Sequence, residues 1–146
     1  FSAKPGEPNL YGLIGGNANA IAPNKRMLSS MTPTIVLKDN NLFMVVGSPG
    51  GSTIITSVFQ NILNVTQFNM TMQESVDAPR FHHQWLPDEI VVENDFDASK
   101  VQALTNKGYK ISKKEAMGRV DAILKCENGK LEGAADKRGD DAAVGW

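Results

Sequence analysis

The chain has one cysteine, Cys126, in 146 residues. A lone thiol excludes an internal disulfide framework and leaves the compartment open. No apolar run approaches the ~20 residues that a membrane-spanning helix needs. Charge of one sign is not in excess, since the formal net charge is −1. That balance argues against a nucleic-acid binder with a broad basic face. No secretory signal pattern stands at the start. The first residue is Phe1 rather than Met, which fits a processed chain or an excised piece. Internal repeats and low-complexity tracts are missing too. What is present is 41% hydrophobic and 21% charged residues, at a length that fits one domain with a packed core.

The chain turns on Gly47-Ser48-Pro49-Gly50-Gly51-Ser52-Thr53. Leu42 to Val46 before it reads as a buried strand, and Ile54, Ile55, Val58, Phe59, Ile62 and Leu63 after it have helical spacing. A glycine turn entering a helix aims bare N–H groups at one point, where negative charge is favoured. That suits an anion or a developing oxyanion. It equally suits a tight turn in which glycines only let the backbone pass. Ser48 or Ser52 is the expected N-cap, and Ser48 would place Pro49 at the first helical position. The opposite helix face, including Ser57, Gln60 and Asn61, carries no charge, so we expect it to contact something other than open solvent.

Residues 1–33 are punctuated by Pro5-Gly6, Pro8-Asn9, Gly15-Gly16 and Pro23-Asn24, and read as an irregular loop region leading into the sheet. Thr34 to Lys38 and Leu42 to Val46, joined by Asp39-Asn40-Asn41, form a hairpin. Their near-continuous apolarity predicts strands covered on both faces. Thr71-Met72-Gln73-Glu74 is a capping box opening a helix that stops before Pro79. Ile90 to Val92 reads as a strand, Asp97 or Ser99 as the start of a helix ending at Gly108, and Tyr109 to Ile111 as a short strand. Glu127-Asn128-Gly129 marks a second hairpin. Layered helices and antiparallel hairpins make the class α+β.

Nucleotide binding fails on spacing. No Lys follows Gly50-Gly51 as a phosphate loop requires, and G-x-G-x-x-G is absent. His82 and His83 are adjacent, so extended backbone sends them to opposite faces and one metal does not take both. Asp136, Asp140 and Asp141 read as a solvated tail. The basic stretch from Lys100 to Arg119 lacks interleaved aromatics apart from Tyr109, so it reads as a solvated face. Cys126 reads as a small buried hydrophobe. Leu28-Ser29-Ser30-Met31 places two hydroxyls before Pro33 and a strand, a set that can hold a carboxylate or simply serve as a strand entry.

Taken together these words resemble the small subunit of γ-glutamyltranspeptidase. The resemblance runs through Pro8-Asn9-Leu10-Tyr11-Gly12-Leu13-Ile14-Gly15-Gly16, Leu28-Ser29-Ser30-Met31, Gly47 to Ser52, Ala78-Pro79-Arg80-Phe81-His82-His83-Gln84-Trp85-Leu86-Pro87-Asp88-Glu89 and Glu115-Ala116-Met117-Gly118. It implies part of an N-terminal-nucleophile hydrolase, a four-layer αββα sandwich. Such a precursor cleaves itself, exposing a Thr nucleophile whose own amine serves as base. The implied substrate is glutathione or another γ-glutamyl compound, with the acyl group passed to water or an amine. Ser29 and Ser30 match the pair that holds the substrate's α-carboxylate, and Gly50 and Gly51 match the backbone donors of the oxyanion hole.

The resemblance calls for no cofactor and no metal, and implies a periplasmic or extracellular location. No residue matches the nucleophilic Thr. Thr53 stands where an Arg is common, Asn17 where an Asp is common, and Lys137 inside what is usually Asp-Pro-Arg. The expectation is therefore one partial domain, residues 1–146, inactive alone. Its partners would be the large subunit and the N-terminal part of the small subunit, and an apolar face should stand open without them. A related N-terminal-nucleophile acylase and a non-catalytic interaction fragment remain as alternatives.

Overall fold

The computed structural model describes residues 2–145, so Phe1 and Trp146, the two ends of the expected domain, lie outside the described residues. The hairpin pairs strand β1 (Thr34–Lys38) with β2 (Asn41–Gly47), antiparallel, from Thr34 opposite Val46 to Lys38 opposite Asn41. Asp39 and Asn40 both take positive φ, 51° and 61°. Such two-residue turns match the twist of the strands, and Asp and Asn tolerate the left-handed region. Strands β6 (Asp121–Lys125) and β7 (Leu131–Ala134) follow late in the chain, joined through Asn128-Gly129. The antiparallel sheet order is β1-β2-β6-β7.

The expectation that both faces of this hairpin are covered is corrected. Met44 and Val46 are buried on one face, while Ile35, Leu37, Leu42 and Val45 on the other are exposed, Ile35 at 69%. Ile123 and Leu131 extend that open apolar face. The reason is that helices in the described chain pack on one side only.

Those helices are α1 (Ile54–Phe68) and α2 (Met72–Asp77). Val58, Val65, Met72 and Val76 join Met44, Val46, Ala122 and Leu124 in one core. The expected stripe of α1 is only half right, because Ile55 and Phe59 are 71% and 56% exposed. The uncharged face is buried instead, as its lack of charge implied. Gln60 donates to the Phe81 carbonyl at 2.7 Å and accepts the Phe81 amide at 3.1 Å. The Ser75 hydroxyl donates to Asn61 Oδ1 at 2.9 Å. Polar groups with partners can be buried at little cost. The capping box at Thr71 forms as expected.

A second sheet has the order β3-β4-β5. Here β3 is Phe81–His82, β4 is Ile90–Glu93 and β5 is Ile111–Lys114, with helix α3 (Ala98–Asn106) crossing between β4 and β5. That crossover makes β4 and β5 parallel. Strand β3 had no sequence signal of its own, and β5 starts at Ile111 rather than Tyr109. Asp97 caps α3 by accepting the amides of Ser99 and Lys100. Residues 2–33 contain a 3-10 turn at Asn17–Asn19 and two isolated bridges. No described helix is long and apolar enough to cross a membrane. The class is α+β.

The reading of Asp136 as a solvated tail residue is overturned. Asp136 and Glu93 are each 1% exposed and Arg80 is 2% exposed. Arg80 Nη2 donates to Asp136 Oδ2 at 2.7 Å, and Arg138 donates to Asp136 Oδ1 at 3.0 Å and Glu93 Oε1 at 2.7 Å. Asp136 also accepts the Val120 amide at 2.7 Å, and Glu93 accepts the Arg80 and Met117 amides at 2.8 Å. Arg138 Nη2 also donates to Glu93 Oε2, and other guanidinium bonds reach the carbonyls of Val76, Ala78 and Met117, while Arg80 Nε is buried without a partner among the described residues. Two cations and two anions cancel, so the cluster is buried neutral. Asp140 and Asp141 are not free either, since both pair with Arg119.

Burial pushes the Asp136 carboxyl upward, but the Val120 and Arg138 amides and the Arg80 guanidinium overcome it and hold it below its ordinary 3.8. A depressed carboxyl contributes stability above its unfolded value and loses it as pH falls through the folded value. The urea midpoint should therefore drop on acidification below about pH 4. Asp136→Asn should flatten that drop and cost about 3–5 kcal/mol at neutral pH, because it leaves buried guanidinium charge uncompensated. Equal pH slopes in the two proteins would count against this role.

Candidate functional site

Antiparallel pairing puts the start of β1 and the end of β2 at the same end of the sheet. Ser29-Ser30 precedes β1 by a few residues and Gly50-Gly51 follows β2 by a few, so both motifs arrive there. The Ser48 amide donates to the Met31 carbonyl at 2.9 Å, extending the pairing beyond the strands. Ser29 Oγ accepts the Met31 amide at 3.3 Å. Ser29 and Ser30 are both exposed. Two hydroxyls in an open loop can donate to and orient an anionic ligand.

Gly50 has φ 140° and Gly51 φ 60°, backbone that side chains rarely adopt. Space forbids a side chain as well. A Cβ on Gly50 would lie 2.8 Å from Thr53 Oγ1, and one on Gly51 would lie 2.6 Å from the Tyr11 ring. The chain then enters a 3-10 turn, Gly51–Thr53, which runs into α1. Neither Ser48 nor Ser52 caps it, contrary to expectation. Ser48 is fully buried, and its hydroxyl donates to the Pro49 carbonyl at 2.7 Å while accepting the Arg119 amide at 3.0 Å. Among the described residues no hydrogen bond runs from the Gly50 or Gly51 amide. Two unclaimed donors at the entrance to a 15-residue helix form an anion-favouring point.

The irregular loop folds back over this turn. Tyr11 lies against Gly51, and the Tyr11 carbonyl accepts Gln84 Nε2 at 3.1 Å. Gln84 Oε1 meets His82 Nε2 at 3.1 Å, and His82 Nδ1 meets Thr56 Oγ1 on α1 at 2.9 Å. His82 is 5% exposed, whereas His83 is exposed and meets Asp88 at 3.1 Å. The two histidines thus face different surroundings, and no group of three metal-ligating side chains forms among the described residues. Cys126 is only half-buried, so it is not the core residue expected.

Ser48, Thr53, His82 and Gln84 were missed as parts of the site. Hydroxyls flanking Pro49-Gly50-Gly51 were the available signal for the first two. For His82 and Gln84 the signal was their place in a word of high specificity, with no partner visible nearby in sequence.

A family model described as Gamma-glutamyltranspeptidase matches residues 1–146. The glutathione hydrolase proenzyme of Escherichia coli (strain K12) is 53% identical over 147 residues, covering 100% of this chain and 25% of that protein. The chain thus spans about a quarter of the length of the curated relatives it matches. Among solved structures, the T380A mutant of Helicobacter pylori γ-glutamyltranspeptidase superposes with TM-score 0.86 at 56% identity, over 95% of this chain and 77% of that one. The Pseudomonas nitroreducens γ-glutamyltranspeptidase complexed with L-DON gives TM-score 0.86 at 41% identity, over 100% and 77%.

The Gln84 amide is the strut between loop and helix. Gln84→Ala should speed protease cleavage within residues 5–20, while global stability falls by only about 1 kcal/mol. Unchanged cleavage kinetics would show that the loop is held by other means.

Proposed function

Because this chain belongs to the γ-glutamyltranspeptidase family, we propose that it is the C-terminal part of a small subunit in an enzyme that transfers or hydrolyses the γ-glutamyl group of glutathione and related amides. The carrying observation is the meeting of the Ser29-Ser30 loop and the Gly50-Gly51 turn at one end of the hairpin, with two amides unclaimed among the described residues. Ser29 and Ser30 hold the α-carboxylate of the γ-glutamyl group. A Thr hydroxyl supplied from outside this chain attacks the γ-carbonyl. The Gly50 and Gly51 amides take the negative charge that develops on the carbonyl oxygen. Collapse of that adduct expels the amine and leaves a γ-glutamyl ester, which water or a second amine then opens.

The open apolar sheet face fits the same reading. Ile35, Leu37, Val45, Ile123 and Leu131 share one exposed apolar face, and the rest of the enzyme covers it. Residues 1–146 are then one partial domain, with residues 1–33 its loop region, and the helical layer and sheet are half of the four-layer sandwich. The setting is periplasmic or extracellular, after autoprocessing of the precursor.

Two measurements test this. In the complete enzyme, Ser30→Ala should raise KM for a chromogenic γ-glutamyl anilide roughly ten- to a hundredfold, the loss of one hydrogen bond to a charged group, with kcat little changed. An unchanged KM would sink the carboxylate grip and favour an acylase acting on other amides. The isolated chain, lacking the nucleophile, should show no turnover above buffer.

A further inference from the structure

The oxyanion reading needs the Gly50 and Gly51 amides to be aimed, and backbone at φ 140° and 60° does not aim itself. A glycine pair has the widest conformational freedom of any dipeptide, so free rotation would smear the donors. Each peptide unit is planar, however, and in the trans form its C=O and N–H point opposite ways. The Pro49 carbonyl shares a plane with the Gly50 amide, and the Gly50 carbonyl shares one with the Gly51 amide. Both bonds are trans. Whatever holds those two carbonyls therefore sets the direction of the two donors.

Two buried hydroxyls hold them. Ser48, 0% exposed, donates to the Pro49 carbonyl at 2.7 Å. Thr53, 6% exposed, donates from Oγ1 to the Gly50 carbonyl at 2.9 Å, and the Thr53 amide donates to the same oxygen at 3.2 Å. Neither hydroxyl is free to swing. Ser48 Oγ also accepts the Arg119 amide at 3.0 Å. Gly118 closes the floor beneath them, where a Cβ would lie 2.8 Å from the hydroxyls of both Ser48 and Ser57. Thr53 is β-branched, which narrows its χ1 choices.

We infer that Ser48 and Thr53 are positioning residues, whose hydroxyls clamp the Pro49 and Gly50 carbonyls and thereby aim the Gly50 and Gly51 amides at the reacting carbonyl oxygen. This rests on the reading of those amides as oxyanion donors. Neither side chain touches substrate; each acts through the peptide plane next to it. Thr53 is the position where the resemblance leads one to expect Arg, so this part of the clamp belongs to this chain's own sequence. Ser48 has a second consequence. Its amide holds the Met31 carbonyl while its hydroxyl holds the Pro49 carbonyl, so one residue ties the carboxylate loop to the oxyanion turn.

The test uses the complete enzyme carrying Thr53→Val, Thr53→Ser or Ser48→Ala, with processing checked on gels and folding by thermal melt. Thr53→Val keeps the shape and removes the hydroxyl. It should lower kcat for a γ-glutamyl anilide roughly ten- to a hundredfold while KM stays within about threefold, because the lost interaction matters only in the transition state. Thr53→Ser should restore kcat, and a merely structural role would not give this split and rescue.

The second readout is the ratio of affinities for a boronic acid analogue of the γ-glutamyl group, which becomes tetrahedral when the nucleophile adds, and for glutamate. Thr53→Val and Ser48→Ala should both shrink that ratio. Should Thr53→Val not assemble, Ser48→Ala reads the same quantity. Wild-type kcat with an unchanged ratio in an assembled hydroxyl-deleted variant overturns the clamp. A ratio near one in the unaltered enzyme removes the oxyanion reading itself, which keeps the two failures apart.

Discussion

The buried cluster of Arg80, Glu93, Asp136 and Arg138 is the constraint on which the other elements depend. Four charged side chains leave water at tolerable cost when each charge meets an opposite one and most of the leftover donors find carbonyls. Here that requirement draws together the end of α2, the start of β3, the end of β4, the Met117 loop, the start of β6 and the tail after β7. Removing any one partner leaves a stranded charge, so these segments hold their relative places or the cluster fails. Apolar burial gives the fold its driving force, but it is non-directional and tolerates small slips. The charge cluster does not.

The glycine turn benefits from that rigidity at short range. Met117 is held through its amide by Glu93 and through its carbonyl by Arg80. The next residue, Gly118, forms the floor against which Gly50, Ser48 and Ser57 pack. A turn of two glycines thus acquires fixed geometry from its surroundings, without stiffness of its own. Preorganised donors are what stabilise a developing charge without reorganisation cost. The same turn is roofed by Tyr11, and the roof is tied to α1 through Gln84 and His82. The Ser29-Ser30 loop enters from the neighbouring strand, close enough that Ser48 bonds to both segments.

Local chemistry made much of this legible. The Asp39-Asn40 hairpin, the Thr71 capping box, the Asp97 cap and the Asn128-Gly129 turn each rest on interactions within a few residues, and each forms where its residues imply. Elements that depend on distant partners were not legible. The apolarity of β1 and β2 implies burial on both faces, yet no described helix covers the face that carries Ile35, Leu37, Leu42 and Val45, because apolar residues do not say which element packs on them. The lack of charge on the polar side of α1 implied a covered face but not its partners, because Phe81 and Ser75 lie well along the chain. Asp136 looked solvated in a polar tail because nothing near it in sequence announces Arg80 or Glu93.

The sequence by itself determined most of the local elements, the α+β class and the family, since these follow from short-range spacing and from long specific words. It also singled out Ser29, Ser30, Gly50 and Gly51 as the residues to watch. Only the tertiary structure decided which face of each element is inside and which charges are buried. Only it showed which hydroxyls hold the Pro49 and Gly50 carbonyls. The physical reason is the same in each case. A cap or a turn is closed by neighbours in the chain, whereas burial, charge pairing and the aim of an amide depend on groups that folding alone brings within hydrogen-bond distance.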